Sequence, residues 1–231
     1  MLDLKDVTLV ALTNMRMEGH ISALMESTEH IKFGDVKLIS EKDKVPSGLP
    51  SVINVEEMIY PIRSIDDYSF YMIYNIGQHI ETNHMLIIQD HGFVVNPEAW
   101  TDEFLEYDYI GAPWAWSENA YIDPFGNHQR VGNGGVSLRS KKLMDVPNKV
   151  VIPWDVNQGD FYKHMDAGLF NEDGNICVHN RHLYEEQGCK YAPVEVAARF
   201  SYERDLPENK GLTPFVFHYT CLLYTSDAAD D

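Results

Sequence analysis

Three polar residues, Gln89, Asp90 and His91, follow an apolar run and precede a glycine in the stretch LIIQDHGFVVNP, residues 86–97. Ligands of an open α/β sheet bind at the carboxyl ends of its strands, so these side chains lie where a binding crevice is expected. An aspartate and a histidine together can ligate a divalent cation. Asp before Gly is also a common turn sequence, and the residues alone leave both interpretations open.

Two adjacent acids, Glu172 and Asp173, begin the stretch NEDGNICVHNRHLYEEQG, which has a helical pattern. Asn171 is the candidate cap of this helix and Gly188 its candidate end. A carboxylate near an acceptor hydroxyl can take its proton as a general base. Two acids in a first helical turn also complement the helix dipole, and the spacing alone favours that interpretation.

A glycine-rich turn, GNGG at residues 132–135, precedes the predicted strand VSLRS. It lacks the GxGxxG spacing and the preceding strand of a dinucleotide-binding fingerprint. Gly134 and Gly135 could let backbone amides approach a ligand, while Asn133 could hydrogen-bond its hydroxyl groups. Taken alone, the glycines are better explained by a simple turn between a loop and a strand.

The loop before this turn, residues 114–130, is rich in aromatic residues, namely Trp114, Trp116, Tyr121 and Phe125. Aromatic faces stack on sugar rings and nucleobases while neighbouring groups make hydrogen bonds. Packing in the protein core explains each of these residues equally well.

Short apolar runs alternate with helical patterns in the first half of the chain, which indicates an α/β fold with a largely parallel sheet. Strands are predicted at residues 7–12, 36–40, 51–55, 84–89 and 109–113, with a terminal strand that ends at His218. Helices are predicted at residues 19–30, 66–81 and 97–107, and again between residues 190 and 203. Asp66 is the candidate N-cap of the second helix.

Composition narrows the class of protein. The 231 residues are 44% apolar and 12% aromatic, enough for a sizeable core, and the net charge of −18 argues against nucleic acid or an anionic membrane as partner. Cys177, Cys189 and Cys221 have no zinc-like spacing, which fits reduced thiols in a cytoplasmic protein. No window approaches the roughly 18 apolar residues of a membrane span, and no export signal is found.

Four stretches together resemble a little-characterised family of bacterial and viral proteins regarded as glycosyltransferases with the GT-A fold. They are LIIQDHGFVVNPEAWTDEFLEYDYIGAPW, VGNGGVSLRS, NEDGNICVHNR and APVEVAARFSYE, followed by PFVFH. The resemblance extends over most of the chain up to His218, and YDYIGAPW followed by GNGGVSLRS is its most specific part.

The resemblance implies one domain over residues 1–219, an α/β/α sandwich with a Rossmann-like nucleotide-binding half and a mixed sheet. The implied activity is transfer of a sugar from a nucleotide-diphosphate donor, a UDP-sugar, to a glycan or glycolipid acceptor, with inversion or retention left open. Asp173, with Glu172 beside it, is the implied catalytic base. The donor and acceptor are expected to contact Thr13, Asn14, Gln89, Asp90, Trp114, Asn133, Gly134 and Gly135.

The implied metal site departs from the family's pattern, which reads Gln, any residue, Asp, Gly. His91 occupies the position of the family's Asp, and Asp90 occupies the variable position. His218 resembles the C-terminal histidine that completes the metal shell in several GT-A transferases. Histidine ligates Mn²⁺, whereas loss of a carboxylate weakens the hold on Mg²⁺, so the resemblance implies Mn²⁺ held by Asp90, His91 and His218.

Two other functions compete with this one. Loss of the expected carboxylate at His91 motivates a catalytically weak module that binds a nucleotide or carbohydrate. A phosphoesterase acting on nucleotide diphosphates is the third hypothesis, but the sequence has no clustered ligand set for two metals. The final stretch CLLYTSDAADD resembles a translated sequencing adapter, so residues 220–231 are expected to be non-native or disordered.

Overall fold

The computed structural model of the protein describes residues 1–118, 120–154 and 171–218. The predicted tail, residues 220–231, lies outside the described residues. The strands are β1 Leu2–Leu12, β2 Ile31–Ser40, β3 Asn54–Glu57, β4 His84–Ile87, β5 Gly92–Val94, β6 Tyr109–Gly111, β7 Ser137–Ser140, β8 Ser201–Tyr202 and β9 Val216–His218. The α-helices are α1 Met17–Thr28, α2 Ile65–Tyr74, α3 Lys141–Met144, α4 Glu172–Gly174, α5 Arg181–Glu186 and α6 Val194–Phe200.

The main sheet has six strands in the order β3-β2-β1-β4-β7-β6. Strands β1 to β4 pair in parallel, as the alternating pattern predicts, whereas β7 is antiparallel to both β4 and β6. The sheet is therefore mixed. A second sheet of three strands has the order β5-β9-β8.

The strand order changes direction beside β1. The chain passes from β1 outward through β2 and β3, and then returns to place β4 on the other side of β1. The carboxyl ends of β1 and β4 therefore meet at a topological switch point, the place where open α/β sheets bind ligands.

Both faces of the main sheet are buried. In β1, Leu9 and Ala11 pack in a cluster that includes residues of α1 and α6, whereas Val10 and Leu12 pack in a cluster that includes residues of α2. A strand that is covered on both faces needs apolar residues at successive positions, which explains the unbroken run VTLVAL. Helices on both faces make the α/β/α layering.

Three predicted helices differ from the observed ones. Helix α2 is capped by Ser64, whose Oγ accepts a hydrogen bond of 3.0 Å from the amide of Asp67, so the choice of Asp66 was wrong. The predicted helix at residues 97–107 is a pair of 3₁₀ turns, because Trp100 and Phe104 turn inward to pack on Phe215. Tertiary packing overrides local propensity there.

The predicted helix at residues 171–188 is divided into α4, a π turn at Asn175–His179 and α5. The side-chain amides of Asn175 and Asn180 both donate to the carbonyl of Pro153, which stabilises the wide turn. Asn171 makes no side-chain capping bond, whereas Gly188, with a φ of +77°, ends the helical segment as predicted.

Two further expectations from the sequence concern the cysteines and the helices that could cross a membrane. Cys177 and Cys189 are buried free thiols. Among the helices of the described residues, none has the length and apolar character required to cross a membrane.

Candidate functional site

A cleft of about 360 Å³ lies at the carboxyl ends of β1 and β4. Its apolar lining includes Leu12, Ile62, Ile65 and Tyr68, and its polar lining includes Thr13, Asn14, Gln89, Asp90 and His91. A cleft with an apolar wall and a polar end suits a ligand that has a flat ring at one end and charge at the other.

Thr13 and Asn14 shape the edge of this cleft through bonds within the protein. The Thr13 hydroxyl donates to the carbonyl of Met15 at 2.6 Å, which turns the chain after β1. The Asn14 side-chain amide donates to the carbonyl of Ile62 and to Glu41 Oε1. Asn14 thereby ties the end of β1 to the segment that leads into α2.

His91 and His218 meet because of a turn and a strand register. The amide of Gly92 donates to the carbonyl of Gln89 at 3.1 Å, and β5 then pairs with β9 so that Gly92 lies opposite His218. The Nε2 atoms of His91 and His218 are 3.2 Å apart, with ring centroids 4.9 Å apart. The Oε1 atom of Gln89 is 3.3 Å from His218 Nε2.

Asp90 contacts this histidine pair indirectly. Nδ1 of His91 donates to Asp90 Oδ1 at 2.6 Å, and Arg16 Nη1 donates to Asp90 Oδ2 at 3.2 Å. Burial raises the pKa of Asp90, but the hydrogen bonds from His91 and Arg16 outweigh burial, so the pKa lies below its ordinary value. Because an ionised carboxylate can only accept, the hydrogen of this bond is on His91 Nδ1, and the bond holds the ring so that Nε2 faces His218.

The donor atoms suit a cation that accepts nitrogen ligands. Burial, together with neighbouring His91, lowers the pKa of His218 to about 4, so its imidazole is neutral and can ligate a metal. The Nε2 atoms of His91 and His218 converge with the Gln89 amide oxygen, and a cation held through nitrogen atoms would be Mn²⁺ in preference to Mg²⁺. Within the described residues, however, no group of three or more His, Cys, Asp or Glu side chains is arranged to hold a metal ion.

The glycines of the GNGG turn are required by close packing. A Cβ atom at Gly135 would collide with His218 Nε2 and would lie 2.9 Å from Gln89 Oε1. A Cβ atom at Gly134 would collide with Glu172 Oε1, and one at Gly132 would collide with the Trp114 ring. The turn is thus in contact with the histidine pair on one side and with the acid pair on another.

The two adjacent acids have different environments. Glu172 Oε1 accepts a hydrogen bond of 2.9 Å from the fully buried Arg139, whereas Asp173 accepts bonds from the amides of Gly134 and Gly174, at 3.1 and 2.7 Å. Burial raises the pKa of Asp173 to about 7. The negative charge of Glu172 also raises this pKa, whereas the hydrogen bonds from the two amides lower it. A carboxyl group with a pKa near 7 is suited to proton transfer, so Asp173 is the better candidate base.

The predicted aromatic residues divide into two groups. Trp114 is buried and stacks on Tyr121, with ring centroids 4.2 Å apart and an interplanar angle of 6°. Tyr121 is half-buried and lies near Asp173. Trp116 and Phe125 are exposed and are not among the residues that line the cleft.

Arg139 and Tyr68 are site residues that sequence reasoning missed. Arg139 has no solvent exposure, and its Nε donates to Ser137 Oγ at 3.0 Å. The Tyr68 hydroxyl is hydrogen-bonded to Gln89 and is within electrostatic range of Glu172 and Arg139, so it links the cleft to the acid pair. A charged residue inside the apolar strand VSLRS was the available signal for Arg139.

The family of the chain follows from a family model that matches residues 52–218 and is described as "Protein of unknown function (DUF5672)". The chain belongs to this family. A search of curated proteins finds no match.

Solved structures similar to this chain include the galactosyltransferase LgtC in complex with donor and acceptor sugar analogs. That structure has a TM-score of 0.54 and 14% identity, over 96% of this chain and 88% of that chain. An active-site mutant of LgtC has a TM-score of 0.52 and 12% identity, over 95% of this chain and 88% of that chain. Together with the six-stranded mixed sheet, these similarities show that the chain has the GT-A glycosyltransferase fold.

Proposed function

We propose that the protein is a glycosyltransferase that moves a sugar from a nucleotide-diphosphate donor, a UDP-sugar, to a hydroxyl group of a glycan or glycolipid acceptor. The observation that carries this proposal is the cleft at the switch point, whose apolar wall ends at Gln89, Asp90 and His91. The nucleobase would lie against the apolar wall and the diphosphate at the polar end.

A divalent cation, Mn²⁺ in preference to Mg²⁺, would be held by His91 and His218, with Asp90 orienting His91. This assignment is supported by the 3.2 Å separation of the two Nε2 atoms and by the bond between Asp90 and His91. When bound, the cation would supply positive charge to offset the charge that develops on the departing diphosphate.

Asp173 is the proposed base that takes the proton of the acceptor hydroxyl. Its raised pKa and the fixed hydrogen bond from the Gly134 amide support this role. Glu172 is a positioning residue, because its carboxylate is held by Arg139. Asn133, Gly134 and Gly135 would lie beside the donor sugar.

A panel of nucleotide sugars with Mn²⁺ tests the proposal, with released nucleotide and sugar transfer to added acceptors as readouts. We also expect UDP to raise the melting temperature only when Mn²⁺ is present, and His218→Ala to abolish this shift. His30→Ala is the control, because His30 is exposed and remote from the cleft. A shift that is independent of metal would contradict the assignment of His91 and His218.

The second candidate is a module that binds a nucleotide or carbohydrate without turnover. It is favoured by the position of Asp90, whose oxygens are engaged by Arg16 and His91, so that this carboxylate is not free for a cation. Tight binding of UDP without turnover of any donor, and turnover restored in His91→Asp, would establish this alternative.

A further inference from the structure

Arg16 is the arginine at the polar end of the cleft. The described lining of the cleft includes two arginines, Arg16 and Arg63. Arg16 Nη1 donates to Asp90 Oδ2 at 3.2 Å, whereas Arg63 Nη1 and Nη2 lie 3.3 and 3.5 Å from the two carboxylate oxygens of Glu41. Arg63 follows Ile62 of the apolar wall, so Arg16 is the one that lies where the diphosphate of the proposed donor would bind.

The backbone of Arg16 has a conformation that is rare for a residue with a side chain. Its φ of +48° and ψ of +41° lie in the left-handed region, which is unfavourable for a residue with a Cβ atom. Its carbonyl accepts two hydrogen bonds from His20, at 3.2 Å from the amide and at 3.1 Å from Nδ1. Such conformations persist where surrounding bonds fix them, and they are concentrated at ligand-binding sites. The backbone of Arg16 is therefore fixed beside the cleft, although most of its side chain is exposed.

The ion pair of Arg16 and Asp90 is weakly held. The Arg16 side chain is 65% exposed, and among the described residues one of its N–H groups contacts Asp90. Exposed ion pairs of this kind contribute little stability. A diphosphate has several charged oxygens and can accept two parallel hydrogen bonds from one guanidinium. A diphosphate in the cleft would therefore take Arg16 from Asp90.

Departure of Arg16 would change the charge behind His91. Asp90 Oδ1 accepts the bond of 2.6 Å from His91 Nδ1, and Oδ2 of the same carboxylate faces Arg16. A carboxylate that accepts from a histidine makes the other ring nitrogen a better metal ligand. Arg16 offsets the charge of that carboxylate, and its own positive charge repels a cation held by His91. The cation site would therefore be strengthened when Arg16 turns to a diphosphate.

We infer that Arg16 couples donor binding to cation binding. Arg16 pairs with Asp90 in the free protein and moves to the diphosphate when the donor binds, which strengthens the cation site at His91. Diphosphate and cation then bind cooperatively, and by linkage each raises the affinity of the other by the same factor. This inference rests on the proposed function, because a nucleotide-diphosphate donor and a cation are parts of that reaction.

Binding of Mn²⁺ tests the inference without turnover, with the unbound ion measured by electron paramagnetic resonance. Without nucleotide, Arg16→Gln should bind Mn²⁺ about fivefold more tightly than the wild type, because the opposing charge is gone. UDP should raise the Mn²⁺ affinity of the wild type about 50-fold and that of Arg16→Gln about fivefold. A folding defect cannot produce the tighter binding of Mn²⁺ alone.

Arg63→Gln is the matched control, because it removes the same charge from the same cleft and leaves the pair of Arg16 and Asp90 intact. Its Mn²⁺ affinity without nucleotide and its response to UDP should stay within about twofold of the wild type. Equal effects of the two substitutions would mean that charge in the cleft acts without a specific contact, and would overturn the inference.

The inference and the proposed function fail on different results. A wild-type response to UDP in Arg16→Gln, or no effect of UDP on Mn²⁺ binding by the wild type, would overturn the inference even if a nucleotide sugar is turned over. Coupling that depends on Arg16, without turnover of any nucleotide sugar, would support the inference and contradict sugar transfer.

Discussion

At the scale of single residues, environment separates groups that look equivalent in the sequence. Glu172 and Asp173 are neighbours, yet one pairs with Arg139 and the other is held by two backbone amides. Burial displaces the pKa of Asp173 to about 7. Asp173 is therefore the residue that we propose as the general base.

Asp173→Asn should remove a pH dependence of stability. The folded-state pKa of about 7 lies above the ordinary value of 3.8, so the folded protein binds more protons than the unfolded chain between these values. Protonated Asp173 therefore stabilises the folded state relative to ionised Asp173. This stabilisation is fully present below about pH 4 and is lost as pH rises through about 7. We expect the free energy of unfolding of the wild type to fall between pH 5 and pH 7.5 by more than that of Asp173→Asn.

Urea unfolding at the two pH values measures this difference, with Asp43→Asn as an exposed control. Parallel pH profiles of the wild type and Asp173→Asn would contradict the raised pKa. Under the proposed function, sugar transfer by the wild type should also rise with pH through about 7, and Asp173→Asn should lose this rise together with most activity.

Arg139→Met should be strongly destabilising. The substitution leaves the buried Glu172 carboxylate without its partner. Removal of one partner from a buried ion pair lowers the free energy of unfolding by about 3–5 kcal/mol. Arg199→Met removes a more exposed pair with Glu103 and should cost about 1 kcal/mol or less. Urea titration measures the free energy of unfolding of both variants. Equal losses of stability would contradict the inference that the buried pair of Arg139 and Glu172 stabilises the site.

At the scale of elements, the site depends on how the glycine turn fits between two sheets. The turn precedes β7 of the main sheet, whereas His218 belongs to β9 of the second sheet. Gly135 lets these elements approach, because any side chain there would collide with His218. The glycine is therefore a requirement of tertiary packing.

Gly135→Ala should displace His218 and abolish the Mn²⁺-dependent thermal shift by UDP. Gly48→Ala is the control, because a Cβ atom at Gly48 meets no atom within 4 Å, although its φ of +83° makes alanine strained there. The control should lose about 1 kcal/mol of stability and keep the shift. A shift retained in Gly135→Ala would contradict the packing argument.

At the scale of the whole molecule, negative charge dominates. The net charge of −18 is spread over 231 residues, so self-repulsion opposes the compact state. Polyanionic partners such as nucleic acid are correspondingly disfavoured.

Potassium chloride should raise the melting temperature. At about 0.5 M salt, the screening length falls below about 5 Å, which weakens long-range repulsion more than close ion pairs. Chloride is preferable to sulfate here, because preferential exclusion of sulfate stabilises most proteins. A melting temperature that falls with added chloride, measured by differential scanning calorimetry, would mean that attractive ion pairs outweigh the net repulsion.

Local patterns in the sequence were enough to place the cleft. Apolar runs and the residues that follow them located the ends of β1 and β4, and with them Thr13, Asn14, Gln89, Asp90 and His91. These patterns depend on short-range periodicity, which is visible within a short window of the sequence. The cap of α2 and the division of residues 171–188 were missed, because they depend on single hydrogen bonds to nearby segments.

The sequence by itself determined the alternation of strands and helices, the polar ends of the strands and the glycine turn. Only the tertiary structure decided that His91 lies against His218 and that Arg139 pairs with Glu172. The physical reason is that these contacts depend on strand register and on burial. Both arise from packing between segments far apart in the chain, so no local pattern contains them.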